Sequence, residues 1–521
     1  MPRLLSLIIP LLICSLVRAE DSPWSTIDQY PDDVDAVLVL MNPAERILLG
    51  ETGPAARSSL TSFGLFTETE RAWESLSDSF GMDPDECIRA LLSKRVVILW
   101  DHLNATAQNP LQLLASADSR WVLSAEVDEV FVRRVRKHLK PVPRRIHQGK
   151  PIYAIEQGRF QLVIVDGLDA APSRMIVSPR SGIELLDRVL DAFAHPAQDS
   201  SRLAERAEKT VGNADPDWVL AGVIALDQFR AADDSTDINQ SDAVMSIVLH
   251  ADNEDWNARI ATDLQIDLPS HGAPVALLEA VGGDAVLVMA NTAGLSAESS
   301  PGSFGFSLSS DSESSTGSLV IVSKETIEDT DQPSLVATVI TGMGAEQSNS
   351  AAAVDQIMEG LFRDADTGIA PAFAGRFPNA IRTQSRELRA DAQDKWFGDT
   401  LQCSWVHRKS ARSAEGQMIF SIGPSGADTA KRVRWIREAA STIDAIPSVH
   451  ERPGVVSMGK LRPGSAAPLI FADQSGVLSG LLSAIDQASW ELQRSGSGLR
   501  GSVNIRWRPI DQRVRASRLS R

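Results

Sequence analysis

The strongest constraint on the fold of this chain is that one order of elements occurs twice along it. Arg174-Met175-Ile176-Val177-Ser178, followed by Ser181-Gly182 and Arg188-Val189, matches Gln417-Met418-Ile419-Phe420-Ser421, followed by Ser425-Gly426 and Arg432-Val433, with one residue inserted. Leu91 to Trp100 resembles Leu278 to Met289, and Trp121 to Leu139 has its counterpart in Leu335 to Ile340 followed by 351–362. Trp218 to Ala225 likewise recurs as Gly454 to Met458. A repeat of this kind sets the architecture before any single element does.

Within each half, short β-rich runs alternate with amphipathic helices, and neither type forms a long tract. Strands are expected at Asp35 to Met41, Arg95 to Trp100, Trp121 to Val127, Ile152 to Ile155, Gln161 to Asp166 and Arg174 to Ser178. Helices are expected over 67–80, from Asp83-Pro84 to Leu92, near Asp128 to Leu139 and near Gly182 to Phe193. The expected fold class is therefore α+β, with two related halves of mixed or antiparallel sheets and amphipathic helices packed on one face. The boundaries predicted are a leader at 1–19, a first half at 20–217, connecting strands and polar loops at 218–274, and a second half at 275–521. Serine makes up about half of 296–318, which reads as a surface loop. Residues 199–217 and 231–242 read as polar connectors, and the arginine-bearing C-terminus as frayed.

The first nineteen residues carry an address. Arg3 precedes an apolar run from Leu4 to Leu16 that is too short to span a bilayer, and Val17-Arg18-Ala19 fits a signal peptidase, so cleavage is expected after Ala19. Ile13 before Cys14 disfavours a lipid-modified cysteine. The net charge is −17, and loss of Arg3 and Arg18 with the leader makes it −19. That balance disfavours general affinity for nucleic acid. Cys87 and Cys403 alone outlast the leader, which excludes a disulfide-rich scaffold and a cysteine-built zinc site. One disulfide between them stays open, but Cys87, one turn before Leu91, reads as a buried thiol.

Motifs for chemistry are scarce. Gly149-Lys150 and Gly459-Lys460 are followed by Pro151 and Leu461 where a phosphate-binding loop needs a hydroxyl. The eight histidines show no His-Glu-x-x-His spacing, and no Gly-x-Ser-x-Gly is present. Ser181 and Ser425 each lie between a strand and a helix and read as N-caps. The acidic groups Asp233, Asp234, Asp237, Asn239 and Asp242, and His250, Asp252, Glu254 and Asp255, lack the spacing of a calcium loop and read as solvated turns. No metal and no cofactor is expected. One stretch opposes the global charge: Arg133, Arg134, Arg136, Lys137, Lys140, Arg144, Arg145 and Lys150 occur with no acid among them. It is the candidate ligand-binding site, for an anionic polymer or an envelope component. Val132, Val135 and Leu139 interleave it as a half-buried helix also would.

The leader, the early strand Asp35 to Met41, and the block Trp73, Leu76, Phe80-Gly81-Met82-Asp83-Pro84, Leu91-Leu92 and Arg95-Val96-Val97 resemble the large exported proteins of planctomycete-type and related Gram-negative bacteria. The resemblance covers most of the chain after the leader. It implies a duplicated α+β fold and an envelope address, and it carries over no catalytic residue. The function expected is that of an exported, non-catalytic envelope or periplasmic protein binding a ligand or partner between its halves. The alternatives are a secreted hydrolase whose site is assembled from distant loops, and an anionic-polymer binder using 133–150.

Overall fold

The computed structural model describes residues 22–44, 77–78, 80–101, 120–139, 143–155, 158, 160–167, 172–195, 201–212, 218–226, 243–252, 255–264, 273, 278, 285–292, 294–300, 303–309, 318–326, 333–343, 380–387, 400–409, 416–444, 454–464, 485–496 and 498–508. It is mostly antiparallel sheet with a few helices, an α+β fold. The chain forms two compact units, one reaching Gln265 and taking back Ser497–Asn504, the other spanning Ile266–Gly496. The leader, residues 67–76 of the helix expected over 67–80, and 351–362 lie outside the described residues.

The first unit contains β1 (Ala36–Met41), β2 (Arg95–Asp101), β3 (Arg120–Val127), β4 (Arg145–His147), β5 (Lys150–Ile155), β6 (Phe160–Val165), β7 (Ser173–Pro179), β8 (Trp218–Ala225), β9 (Val244–Asp252) and β10 (Asp255–Thr262). Its helices are α1 (Pro23–Ile27), α2 (Pro84–Leu92), α3 (Glu129–His138), α4 (Ile183–Ala194) and α5 (Arg202–Val211). The strands pair antiparallel in the order β10-β9-β8-β1-β2-β3-β7-β6-β5-β4.

Successive side chains of a strand point to opposite faces, and the central strand β2 is apolar on both. Val97 and Leu99 join Val37, Val39, Ile176 and Val223 in a core closed by Trp24 and Ile27 of α1, Leu185, Leu186 and Val189 of α4, and Leu203 and Ala207 of α5. Val96, Ile98 and Trp100 of the same strand are 1% exposed and face the other way. The buried residues of α2 and α3 lie outside that core; α2 packs against β3, and Phe80 meets Phe131 of α3 edge to face with ring centroids 6.1 Å apart. The helices of this unit are thus not confined to one face. Local chemistry starts α2, since Asp83 accepts from the Asp85 amide at 2.9 Å and Pro84 takes the first position, where its missing N–H costs nothing.

The second unit contains β11 (Leu287–Asn291), β12 (Gly294–Ser300), β13 (Ser303–Ser309), β14 (Ser318–Thr326), β15 (Pro333–Met343), β16 (Arg382–Glu387), β17 (Thr400–Lys409), β18 (Gly416–Pro424), α6 (Thr429–Asp444), β19 (Val455–Leu461) and β20 (Ile485–Ser495). Here the order is β20-β19-β11-β14-β15-β18-β17-β16, again antiparallel throughout. Val288, Leu319, Ile321, Ile340 and Ile419 form its core with Val433 and Ile436 of α6. Four hydroxyls stand in register across it. Thr383 and Ser404 lie 2.7 Å apart, Thr338 donates to Ser421 at 3.1 Å, and Ser404 meets Thr429 of α6 at 2.6 Å, so each of these hydroxyls has a partner.

Several expectations change. Residues 202–211, within the connector expected at 199–217, form α5, whose buried face is built of Leu203, Ala204, Ala207 and Val211. Alanines carry little hydropathy signal yet allow close packing. The stretch expected as a serine-rich loop at 296–318 contributes the hairpin β12–β13, which pairs Leu295 with Leu308 and Ala297 with Phe306. Its large apolar residues alternate with serine and glycine at the period of a strand. A strand β21 (Gly498–Trp507) lies shortly before the C-terminus expected to be frayed; it pairs with β10, and Asn257 donates to Asn504 at 2.6 Å. Residues 509–521 lie outside the described residues. Neither Ser181 nor Ser425 caps a helix. Ser181 sits in a 3-10 turn, Gly182 occupies the N-cap of α4, and Asp428 accepts from the Lys431 amide at 2.9 Å at the start of α6.

Leu186 is fully buried between α4 and the sheet. Leu186→Ala should lower the unfolding free energy of the first unit by about 2–5 kcal/mol in urea titrations. A loss indistinguishable from zero would mean that α4 does not close this core.

Candidate functional site

The basic stretch divides between two elements. On α3, Phe131, Val132 and Val135 turn inward, which sends Arg133, Arg134, Arg136 and Lys137 to the solvent side. Two of them, Arg134 and Arg136, meet carboxylates from distant segments. Arg134 reaches Glu86 of α2 at 2.5 Å and the Gly81 carbonyl at 3.1 Å, and one Arg136 nitrogen reaches both oxygens of Asp166 at 2.6 and 2.8 Å. Arg133 lies 3.8 Å from Glu129, an exposed pair worth little in water. Lys140 lies outside the described residues.

Arg144, Arg145 and Lys150 belong instead to the hairpin β4–β5. The backbone N–H of Arg144 donates to the Ile152 carbonyl at 2.8 Å. Arg145 holds Asp187 of α4 through two hydrogen bonds at 2.5 and 2.8 Å, the forked geometry that guanidinium and carboxylate favour. Lys150 stands opposite His147 across the turn. Gln148 and Gly149 form that turn with φ of 48° and 71°, as a two-residue hairpin requires.

Sequence reasoning passed over His147. Its Nε2 lies 2.8 Å from an Asp191 oxygen and its Nδ1 lies 3.6 Å from Asp187. Gln148 donates to Asp191 at 2.7 Å. The hydrogen bonds from Gln148 and His147 hold the Asp191 carboxyl below the usual carboxylate range. A signal was present in the four-residue spacing of Asp187 and Asp191, which puts both on one face of α4. Glu86 and Asp166 gave none, because they approach α3 only in the folded chain.

Two further polar centres sit against the sheets. Arg188 of α4 bonds Asp33 at 2.6 Å and also pairs with Asp101 at the end of β2, while Arg432 of α6 pairs with Glu325 near the end of β14. In the first unit, Arg174 lies 4.8 Å over the Phe193 ring and 5.9 Å from that of Tyr30, and donates to Gln29 at 2.5 Å. Burial raises the Tyr30 phenol above its ordinary range, partly offset by Arg174, so the group stays protonated.

Cys87 and Cys403 are both buried and free. Loss of hydration pushes each thiol up to about 12, so neither supplies a thiolate near neutrality. Of the acidic turns, Asp252 and Asp255 pair across the turn between β9 and β10, and 231–242 lie outside the described residues. Among the described residues no three His, Cys, Asp or Glu side chains gather as a metal site, and no helix is long and apolar enough to cross a membrane.

No protein-family model and no curated protein matches the chain. Among solved structures, crystal form III of TP0453 is similar at a TM-score of 0.26 and 10% identity, over 54% of this chain and 90% of that one. Crystal form IV of TP0453 has a TM-score of 0.22 and 8% identity, over 46% and 82%.

With Arg134, Arg136 and Arg145 paired inside the protein, retention on heparin should be weak, and charge reversal at Arg133, Arg134, Arg136 and Lys137 should shift the eluting salt concentration little. Strong retention abolished by those reversals would restore the anionic-polymer reading. Both thiols should react with a disulfide reagent at pH 8 on the order of a hundredfold or more slower than in the urea-unfolded chain. Native-state labelling at the unfolded rate would contradict their burial.

Proposed function

We propose that the chain is an exported envelope or periplasmic protein made of two copies of one α+β unit, and that it acts by binding a partner, not by catalysing a reaction. The observation that carries the duplication is the shared strand order. The run β9-β8-β1-β2-β3-β7-β6-β5 corresponds strand for strand to β20-β19-β11-β14-β15-β18-β17-β16. A helix follows β7 and β18 in each unit and fills the matching core, Val189 in one and Val433 in the other, both fully buried. The next residue back in each helix, Arg188 or Arg432, pairs with a carboxylate late in the strand two places along, Asp101 of β2 or Glu325 of β14. Patterning alone does not produce a matched ion pair.

This correspondence agrees with the sequence matches at Arg174 to Ser178, Trp121 to Val127 and Trp218 to Ala225. It replaces the fourth, since β2 answers to β14 while β11 answers to β1. A one-strand slip between neighbouring apolar runs is easily made when both are valine- and leucine-rich.

The binding reading is supported by how the chemically capable side chains are employed. Arg145, His147, Arg188 and Arg432 tie helices to strands, and both thiols are held protonated. Export rests on the leader sequence and on the resemblance to exported bacterial proteins.

Two measurements test the proposal. N-terminal sequencing of protein from its native host should begin at Glu20 in an exported or envelope fraction, and a cytosolic chain retaining Met1 would overturn the address. Fluorophosphonate and iodoacetamide probes should leave the native protein without a stoichiometric adduct. Such an adduct on one serine or cysteine would overturn the non-catalytic reading.

A further inference from the structure

We propose that His147 is a proton-operated latch, which holds the β4–β5 hairpin to α4 more tightly when its imidazole is doubly protonated than when it is neutral. The hairpin is the terminal element of its sheet, since β4 pairs with β5 and no other partner is seen among the described residues. β5 is laddered to β6 and buries Ile152 in the core, whereas β4 has only β5 beside it among the described residues, and Ile146 next to the histidine is 68% exposed. What joins it to the helix is a polar row, with Arg145, His147 and Gln148 on the hairpin side and Asp187 and Asp191 on the helix side.

Both ring nitrogens of His147 face carboxylates. A neutral imidazole has one N–H, and the short contact assigns it to Nε2, donating to Asp191 at 2.8 Å. The unprotonated Nδ1 then lies 3.6 Å from the Asp187 carboxylate, an electrostatically unfavourable approach. Protonation puts a positive charge there and turns the repulsion into attraction. The other charged groups around the imidazole set limits on the gain. Arg145 already neutralises Asp187, Lys150 stands opposite across the turn, and His195 at the end of α4 acts on Asp191.

The sign follows from the groups that titrate. Asp191, lowered from its ordinary range, supports the folded hairpin at pH values above about 4 and ceases to do so as pH falls through its folded pKa. Between roughly pH 5 and 8 the carboxylates are ionised and only imidazoles change charge. Across that window the hairpin should tighten as pH falls.

Hydrogen exchange of the full-length protein reads the latch directly. Amides of 144–149, corrected for intrinsic exchange and referenced to β6 and β7, should be roughly two- to fivefold more protected at pH 5.5 than at pH 8.0, the scale of one part-exposed ion pair. In His147→Gln, which keeps a donor but cannot gain a proton, the ratio should be flat, and in Asp191→Asn the step should shrink. A flat ratio in the natural protein, or an undiminished step in His147→Gln, would overturn the proposal, the latter assigning the effect to His195. Should either variant unfold, the imidazole signals of the natural protein decide: titration of His147 accompanied by shifts of the Asp187 and Asp191 carboxyl carbons supports the latch, and titration without them refutes it.

Discussion

The whole architecture depends on sheets whose central strands are apolar on both faces. β2 buries Val97 and Leu99 on one side and Val96, Ile98 and Trp100 on the other, so it cannot serve as the wet-faced sheet of a simple two-layer protein. Each buried methylene contributes about 0.8 kcal/mol, which favours covering both faces. The helices are placed by this demand. α4 and α5 present their leucines and alanines to the Val97 side, and α6 does the same in the second unit with Val433 and Ile436. A helix laid across a sheet brings charged flanks near the strand ends, and Arg188 and Arg432 find carboxylates there. The ion pairs tie each helix to a strand of its own sheet.

Much of this frame is legible in the sequence because hydrophobic period reports burial. The valine- and isoleucine-rich runs at 36–41, 95–101 and 174–178 read as strands and are strands. Elements with a weak apolar signature were missed: α5 packs through alanines, and β21 is interrupted by arginine, asparagine and glycine. The serine-rich hairpin β12–β13 was obscured by composition, although its phenylalanines and leucines keep the period of a strand. The proposed correspondence of the two halves draws on the matched arginine and valine of α4 and α6 in the sequence, and its strand-by-strand form draws on the pairing, because a ladder joins residues far apart in the chain.

The site residues were less legible for a related reason. A run of cations without intervening acids looks like an unbalanced surface, yet Glu86 and Asp166 are brought to α3 from separate elements. Charge balance is a property of space, not of a sequence window. The same holds for His147, an unremarkable residue in the sequence that the hairpin turn places between two carboxylates. Three of the cations that looked available for binding, Arg134, Arg136 and Arg145, are engaged in joining one element to another.

The claim that the two units share one design is tested most directly through the matched ion pairs, with each unit's buried thiol as its reporter. Arg188→Met and Arg432→Met keep the apolar stem and remove the charge, breaking the ion pair to Asp101 or to Glu325. The account predicts that native-state thiol labelling accelerates by about tenfold or more at Cys87 in Arg188→Met and at Cys403 in Arg432→Met. Acceleration in one unit with no change in the other would contradict it, because the two arginines would then not hold equivalent places in a repeated fold.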